Sequence, residues 1–447
     1  MDCSLGRSLT SYSVGRRIGI ILPRLEFILY NSYVRYSFLL HFYQPFFQSE
    51  HVFRKIVAES YAPLIKLVKN KKNLKLTINM PLSTLELLDR YGHSSIISDI
   101  KVLSESGKVE LVGSAAYHNL LTKTPKSINE QAVILNEYAL GYYLGKRTGF
   151  EGESATMFKG IRGFFAPELA VNKEVVQFVE ELGYEWLLVD PTAIKDFWDG
   201  GSVPSKLCKL ADSELVLVSR DKVLSDLVAF KRNSDVRDLG PFIAGDAVVS
   251  VDAETFGHHN VNGLLLLENL IELISDQGGE IVTISEYISY FATEPIGEVC
   301  ESTWAASLQN SDPYVYWSSE ENELQVALWK TLRTLWNHFE GMTYNEITQF
   351  EVYPVWDSSV VNFNSGSTDT NLVLFNLLLV NVLKVSSSDQ FWWSSRKKIF
   401  DSPILFNKSI ISSYIDMYRS IMNLDTIKDT RDLKSLLEIV EDRLQKE

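Results

Sequence analysis

The chain has 447 residues, of which 45% are hydrophobic, and a formal net charge of −14. That length suggests two or three domains of roughly 100–200 residues each, and the negative balance argues against a nucleic-acid partner. Cys3, Cys208 and Cys300 share no Cys-x-x-Cys spacing, which argues against a disulfide framework or zinc ribbon and fits a reducing, cytoplasmic setting. No run reaches the ~18–20 apolar residues that span a bilayer, so no membrane partner is expected.

Residues 1–34 are set apart as an N-terminal extension without an assigned role. Arg16 and Arg17 before an apolar run have the outline of a twin-arginine signal, but Pro23, Arg24 and Glu26 interrupt that run too early. From residue 35, short β-prone runs alternate with helical patterns. The first ends at His41, followed by Gln44 and Pro45, and the second ends at Met80 before Pro81. The third, from Lys108, carries Glu110, Tyr117 and His118. Later runs end at Glu168, Asp190, Arg220–Asp221 and Asp252–Glu254. Between them, Val175, Val176, Phe178 and Val179 make one apolar helix face with Gly183 as its stop, and a second helical run ends in Gly278 and Gly279.

This alternation predicts a parallel sheet whose strands are buried on both faces. Seven or eight such units close most simply into a barrel, with an open doubly wound sheet as the rival. The expected catalytic region is 35–315. From 316 to 447 the runs beginning near Glu320, Asn371, Asn407 and Asp432 read as helices, and Tyr344–Thr370 reads as a long connecting loop.

Polar residues gather where the strands finish: His41, Glu110, Glu168, Asp190, Asp221 and Asp252. In α/β barrels that rim holds the chemistry. An Asp after a strand also commonly caps the next helix, whereas Glu168, behind Phe-Phe-Ala-Pro, suits capping less well. Two carboxylates across a cleft suit glycoside hydrolysis, and a retaining reaction needs them roughly 5–5.5 Å apart. The proton donor of such a pair needs a raised pKa. Glu254 could supply part of that field or serve as a structural carboxylate. Arg220 could hold Glu168 ionised or form a rim ion pair.

Leu39–Pro45, Gly107–Leu121, Gly163–Asp190 and Val249–His259 resemble, in order, four sequence regions of glycoside hydrolase family 57. Glu301–Ser307 is a weaker fifth match, and Asp389–Ser395 is similar to a segment of that family's helical domain. The resemblance implies an α/β fold, an incomplete (β/α)7 barrel followed by an all-α helical bundle domain. It implies a retaining enzyme acting on α-glucans or maltooligosaccharides through a covalent glycosyl-enzyme intermediate, as amylase, 4-α-glucanotransferase or branching enzyme, with no cofactor. By motif position Glu168 is the expected nucleophile and Asp252 the expected general acid/base. His41, Glu110 and Trp304 fall on positions expected to line the sugar site, and Tyr117 and His118 follow the second motif.

The chain departs from the family pattern at Tyr43, where many members carry a second histidine, and at Phe164, Phe165 and Asn119. His258 and His259 near Asp252 raise the alternative of a metal-dependent deacetylase or mannosidase-like enzyme. Adjacent histidines point apart and no His-x-x-x-His spacing accompanies them, so no metal is expected, and His258 is expected to orient Asp252 or a sugar hydroxyl. A non-catalytic glucan-binding protein is a further alternative. Trp317, Trp356, Trp392 and Trp393 could stack on sugars, although tryptophans more commonly anchor cores.

Overall fold

Arg35–His41 forms the first strand, β1, with every residue after Arg35 buried. It lies in a sheet with β2 (Leu76–Asn79), β3 (Val109–Val112) and β8 (Ala247–Asp252), ordered β3-β2-β1-β8 and parallel throughout, and β9 (Glu280–Ile281) pairs with the start of β1. A second sheet is ordered β10-β6-β7-β5-β4: β10 is Glu294–Ile296, β6 Leu207–Leu210, β7 Val216–Ser219, β5 Trp186–Val189 and β4 Gly163–Phe165. Only β6 against β7 is antiparallel here.

The sheets meet in two places. Gly113 N donates to Gly163 O at 2.8 Å and Phe165 N to Gly113 O at 2.9 Å, joining β3 to β4. Asp221 N, just past β7, donates to Val248 O of β8 at 2.7 Å. The register places His41 opposite both Asn79 and Asp252, so three polar side chains end level.

The computed structural model describes residues 34–145, 160–195, 207–243, 245–307, 311–340, 354–357, 360–363, 370–397, 406–424 and 430–446. The expected extension, apart from Val34, lies outside them, as do Cys3 and the side chain of Trp356. Val34–Glu447 forms one compact unit. No described helix is long and apolar enough to cross a membrane.

The strands are buried on two sides because their two faces enter different hydrophobic groups. Leu39, Val112, Phe165, Leu188, Val218 and Val248 pack together with Ile284 and Tyr287. The alternate residues, Phe38, Leu40, Leu187 and Val249 among them, pack against helices. Fully burying such a side chain is worth about 1.5–3 kcal/mol. The helices are α1 (Glu50–Ile56), α2 (Ala62–Asn70), α3 (Leu82–Arg90), α4 (Ser94–Glu105), α5 (Lys126–Leu144), α6 (Lys173–Glu181), α7 (Lys222–Phe230), α8 (Gly263–Asp276) and α9 (Ile284–Tyr290). Helix α6 follows the sequence expectation: Asn172 caps it by accepting from Val175 N at 2.9 Å, its four apolar residues are buried, and Gly183 beyond its end has φ 85°.

Four longer helices follow: α10 (Glu323–Glu340), α11 (Thr370–Val385), α13 (Lys408–Met422) and α14 (Arg431–Gln445). The short α12 (Asp389–Trp392) lies between α11 and α13, and Phe391 stacks on Trp329 of α10 at 3.8 Å. The loop expected over Tyr344–Thr370 is corrected in part. It contains an antiparallel hairpin, β11 (Pro354–Asp357) with β12 (Val360–Phe363). Val, Trp and Phe supply the β propensity there.

Candidate active site

Three non-glycine residues have positive φ among the described residues: His118 (64°), Glu168 (60°) and Leu169 (49°). Left-handed backbone at such residues costs about 1–3 kcal/mol each and needs surrounding structure to hold it. After β4, Pro167–Leu169 make a single tight turn. Trp304 N donates to Glu168 O at 3.1 Å, and Val171 and Ser302 exchange two backbone hydrogen bonds at 2.9 Å, pinning that turn against the 302–304 segment.

The Glu168 carboxylate receives one donor on each oxygen. Trp304 Nε1 donates to Oε2 at 2.7 Å, and Ser388 Oγ lies 3.0 Å from Oε1. His118 Nδ1 is 3.6 Å from Oε1. Burial pushes the Glu168 pKa up to about 8; the two hydrogen bonds oppose this, while Asp389 and Asp252 add to it.

His118 belongs to a chain of polar contacts. Its Nδ1 lies 3.0 Å from Ser388 Oγ and its Nε2 lies 3.1 Å from His41 Nε2, while His41 Nδ1 lies 2.6 Å from Asn79 Oδ1. Aromatic rings hold both imidazoles: Tyr43 stacks on His118 at 4.0 Å and Phe165 on His41 at 4.6 Å. Burial lowers the pKa of both histidines; the Asp252 charge opposes this at His41, and His41 itself adds to it at His118. Tyr43 turns its hydroxyl to Asp389, whose pKa burial pushes up to about 6.

Asp252 ends β8 and is its one exposed residue. Desolvation by the surrounding protein still raises its pKa, against the pull of His41 and Arg220. Arg220 is buried. It holds Asp190 Oδ2 at 2.8 Å and Ser250 O at 3.3 Å, and reaches Asp226 at 3.4 Å. Its charge therefore acts on Asp252. Asp190 and Asp221 also do the capping work expected of them, accepting from Thr192 N at 3.2 Å and Leu224 N at 2.8 Å.

The loop after Asp252 is fastened from behind by a π-helical turn, Val57–Tyr61, between α1 and α2. Such turns widen a helix and concentrate at functional sites. Ser60 Oγ donates to Ala253 O at 2.7 Å, Tyr61 donates its hydroxyl to Glu254, and Glu59 lies 2.6 Å from His258 Nδ1. Gln44 Nε2 also donates to Glu254 Oε1 at 2.7 Å. Burial, then the Asp252 charge, push Glu254 up to about 8. Gly257, with φ 120°, lets the backbones touch: a Cβ there would stand 1.9 Å from Glu59 O.

His41, His118, Glu168, Asp252 and Trp304 thus converge, with Arg220 and Glu254 directly behind Asp252. Glu110 does not join them. It is the second residue of β3, paired in register with Thr77, two residues below the strand end, and it accepts from Ser285 N at 3.0 Å and Thr77 Oγ1 at 3.2 Å. Tyr117 is also turned away. Its hydroxyl donates to Glu86 at 3.1 Å in the core. His258 engages Glu59 and lines a groove of about 480 Å³ with Tyr43, Phe47, Asp389, Trp392 and Trp393. Trp317 is a fully buried core residue. Among the described residues no group of three or more His, Cys, Asp or Glu is placed to hold a metal ion.

Sequence reasoning missed Ser388 and Asp389 as site residues. The signal available was a serine run, Ser386–Ser388, leading into an acid and three aromatics, polar residues in an otherwise apolar helical stretch.

A family model described as Glycosyl hydrolase family 57 matches residues 22–300. An alpha-amylase of Pyrococcus abyssi (strain GE5 / Orsay) is 24% identical over 336 residues, 68% of this chain and 46% of the relative, so the chain spans about half that relative's length. A GH57-type branching enzyme from Pyrococcus horikoshii has a similar solved structure, with TM-score 0.64 and 15% identity over 92% of this chain and 94% of that one. A 4-alpha-glucanotransferase from Thermococcus litoralis gives TM-score 0.58 at 16% identity, over 88% of this chain and 58% of that one. These likenesses speak to a mixed α/β fold with parallel sheet. With the family model matching more than half of its length, the chain belongs to glycosyl hydrolase family 57.

Proposed function

We propose that this chain is a retaining enzyme acting on α-glucans, with Glu168 as nucleophile and Asp252 as general acid/base. We place it on an incomplete (β/α)7 barrel over 35–315 followed by a helical domain over 316–447. Contact of the first sheet's edges with β4 and with the end of β7, and the separate apolar group among the strands, support the barrel. The observation that carries the function is the chain of polar contacts from Glu168 through Ser388 and His118 to His41, which stands opposite Asp252 in the register of neighbouring strands.

In the first step Glu168 attacks the anomeric carbon while Asp252 gives its proton to the departing glycosidic oxygen. In the second, Asp252 takes a proton from water or a sugar hydroxyl, which displaces Glu168 from the same carbon. Trp304 and Ser388 stabilise the carboxylate form of Glu168, and desolvation helps Asp252 hold its proton. Arg220, seated on Asp190, prevents the Asp252 pKa from rising further. His41 and His118 line the cleft beside this pair.

The pKa of Glu168, about 8, taken alone favours the opposite division of roles. A slowly deglycosylated fluorinated α-glucosyl donor decides between them: mass spectrometry of the digested protein is expected to find the sugar on Glu168, and a label on Asp252 reverses the assignment. Incubation with maltoheptaose sorts the activity. Shorter products alone mean hydrolysis, longer products as well mean transfer, and new α-1,6 linkages on amylose mean branching. If no α-glucan is converted, the substrate reading fails.

A further inference from the structure

Resting on Glu168 as the attacking group, we propose that hydrogen bonds through Ser388 and His118 relay the Glu168 proton to His41, leaving a carboxylate ready to attack and an imidazolium near Asp252. The chain is continuous: Glu168 Oε1 to Ser388 Oγ 3.0 Å, Ser388 Oγ to His118 Nδ1 3.0 Å, His118 Nε2 to His41 Nε2 3.1 Å, His41 Nδ1 to Asn79 Oδ1 2.6 Å. Its backbone is tied too, since Ser388 N donates to His118 O at 3.0 Å.

Proton positions follow from the far end. An amide oxygen only accepts, so His41 Nδ1 carries hydrogen and Nε2 of neutral His41 is bare. His118 must then donate from Nε2, which leaves its Nδ1 to accept from the Ser388 hydroxyl. In this tautomer Ser388 has only lone pairs left for Glu168, the reverse of its donation to the carboxylate form, so the fully bonded chain with neutral histidines requires Glu168 protonated. In that state the carboxyl cannot attack.

Three short transfers remove the block. Glu168 gives its proton to Ser388 Oγ while Ser388 gives its own to His118 Nδ1, and His118 releases its Nε2 proton to His41 Nε2. The products are a Glu168 carboxylate accepting from Ser388, a neutral His118 with hydrogen on Nδ1, and a doubly protonated His41. No proton enters or leaves. The carboxylate keeps its Trp304 bond, and His41 keeps its bond to Asn79 and its stacking on Tyr43 and Phe165; burial opposes the cation at His41 more than Asp252 favours it, so the charge-separated form is the minor one. Asp252 in turn faces Arg220 and Glu254. Ser388, His118 and His41 are in this sense positioning residues acting through Glu168.

With its pKa pushed up to about 8 by burial and by Asp389 and Asp252, against its two hydrogen bonds, Glu168 without the relay stays largely protonated below that pH. A proton moved within the site leaves the total bound unchanged, so activity extends below that limb. His41→Gln, which leaves both hydrogen bonds to Glu168 in place, is expected to move the acid limb of kcat/KM up toward pH 8. Activity then falls by about tenfold for each pH unit below it. Ser388→Ala shifts the limb the same way, and Ser388→Thr restores it. Asn79→Asp is expected to move the limb down, because an anion at the chain's end favours the His41 cation. Acting only through space on Glu168, the same charge would move it up. The carbon-13 resonance of the Glu168 carboxyl reads the same shifts without turnover. An unmoved limb in His41→Gln, or an upward shift in Asn79→Asp, overturns the relay. Glu168→Gln separates the two readings: if it retains turnover, the nucleophile assignment falls and the relay with it; if it is inactive while His41→Gln keeps the original limb, the relay alone falls.

Discussion

Trp304 touches Glu168 through both its indole and its backbone N–H, at 2.7 and 3.1 Å. Trp304→Phe keeps an aromatic ring, though a smaller one, and deletes one donor to a carboxylate, a bond worth about 1.5–3 kcal/mol. The expected result is a kcat/KM lower by about 10- to 100-fold, with the acid limb moved upward, read from pH–rate profiles. A uniform fall at every pH would mean that the indole only packs. Glu168 and Asp252 were legible as site candidates because each ends an apolar run in charge. Glu110 looked equivalent, but its place as second residue of β3 puts it two positions below the strand end, where Ser285 takes it. Tyr117 and His118 are adjacent, yet the Tyr117 hydroxyl bonds Glu86 in the core while His118, with φ 64°, joins Ser388 and His41. No pattern of residue types encodes that angle for a histidine.

The π-helical turn of Val57–Tyr61 and the loop after β8 fit by close backbone approach at Gly257. Gly257→Ala puts a methyl 1.9 Å from a carbonyl oxygen and a side chain at φ 120°. We expect a loss of about 1–3 kcal/mol of stability in urea unfolding and reduced kcat through displaced Asp252. Asn172→Ala, a change at the start of α6 far from that loop, is expected to cost about 1 kcal/mol and leave kcat unaltered. Elements with long periodic patterns, such as α6 and the four long C-terminal helices, were readable from sequence. Strands β6, β9 and β10 and the β11–β12 pair were missed because, unlike the equally short β2, β3, β4, β5 and β7, they do not sit in a longer apolar run that ends in a polar residue.

Across the molecule, Glu137, Glu168 and Glu254 are buried carboxyls whose pKa values burial pushes up to about 8. A folded-state pKa above the unfolded value means that the folded chain binds the proton more tightly. The stability this gives is full below about pH 4.5 and is lost as pH rises toward 8. Glu137 on α5 accepts from Tyr184 at 2.6 Å and has no second partner for Oε2 among the described residues. Glu137→Gln keeps the acceptor and removes the titration. We expect it to raise Tm at pH 8 and leave it nearly unchanged at pH 5; equal shifts at both would refute the account. Ser388 stands 220 positions after the carboxylate it completes. At roughly 5–20 residues per second on the ribosome, Glu168 emerges about 10 to 45 seconds before that serine is made. A nascent chain that has passed Asp252 but not reached Ser388 therefore holds both acidic groups without this partner for Glu168.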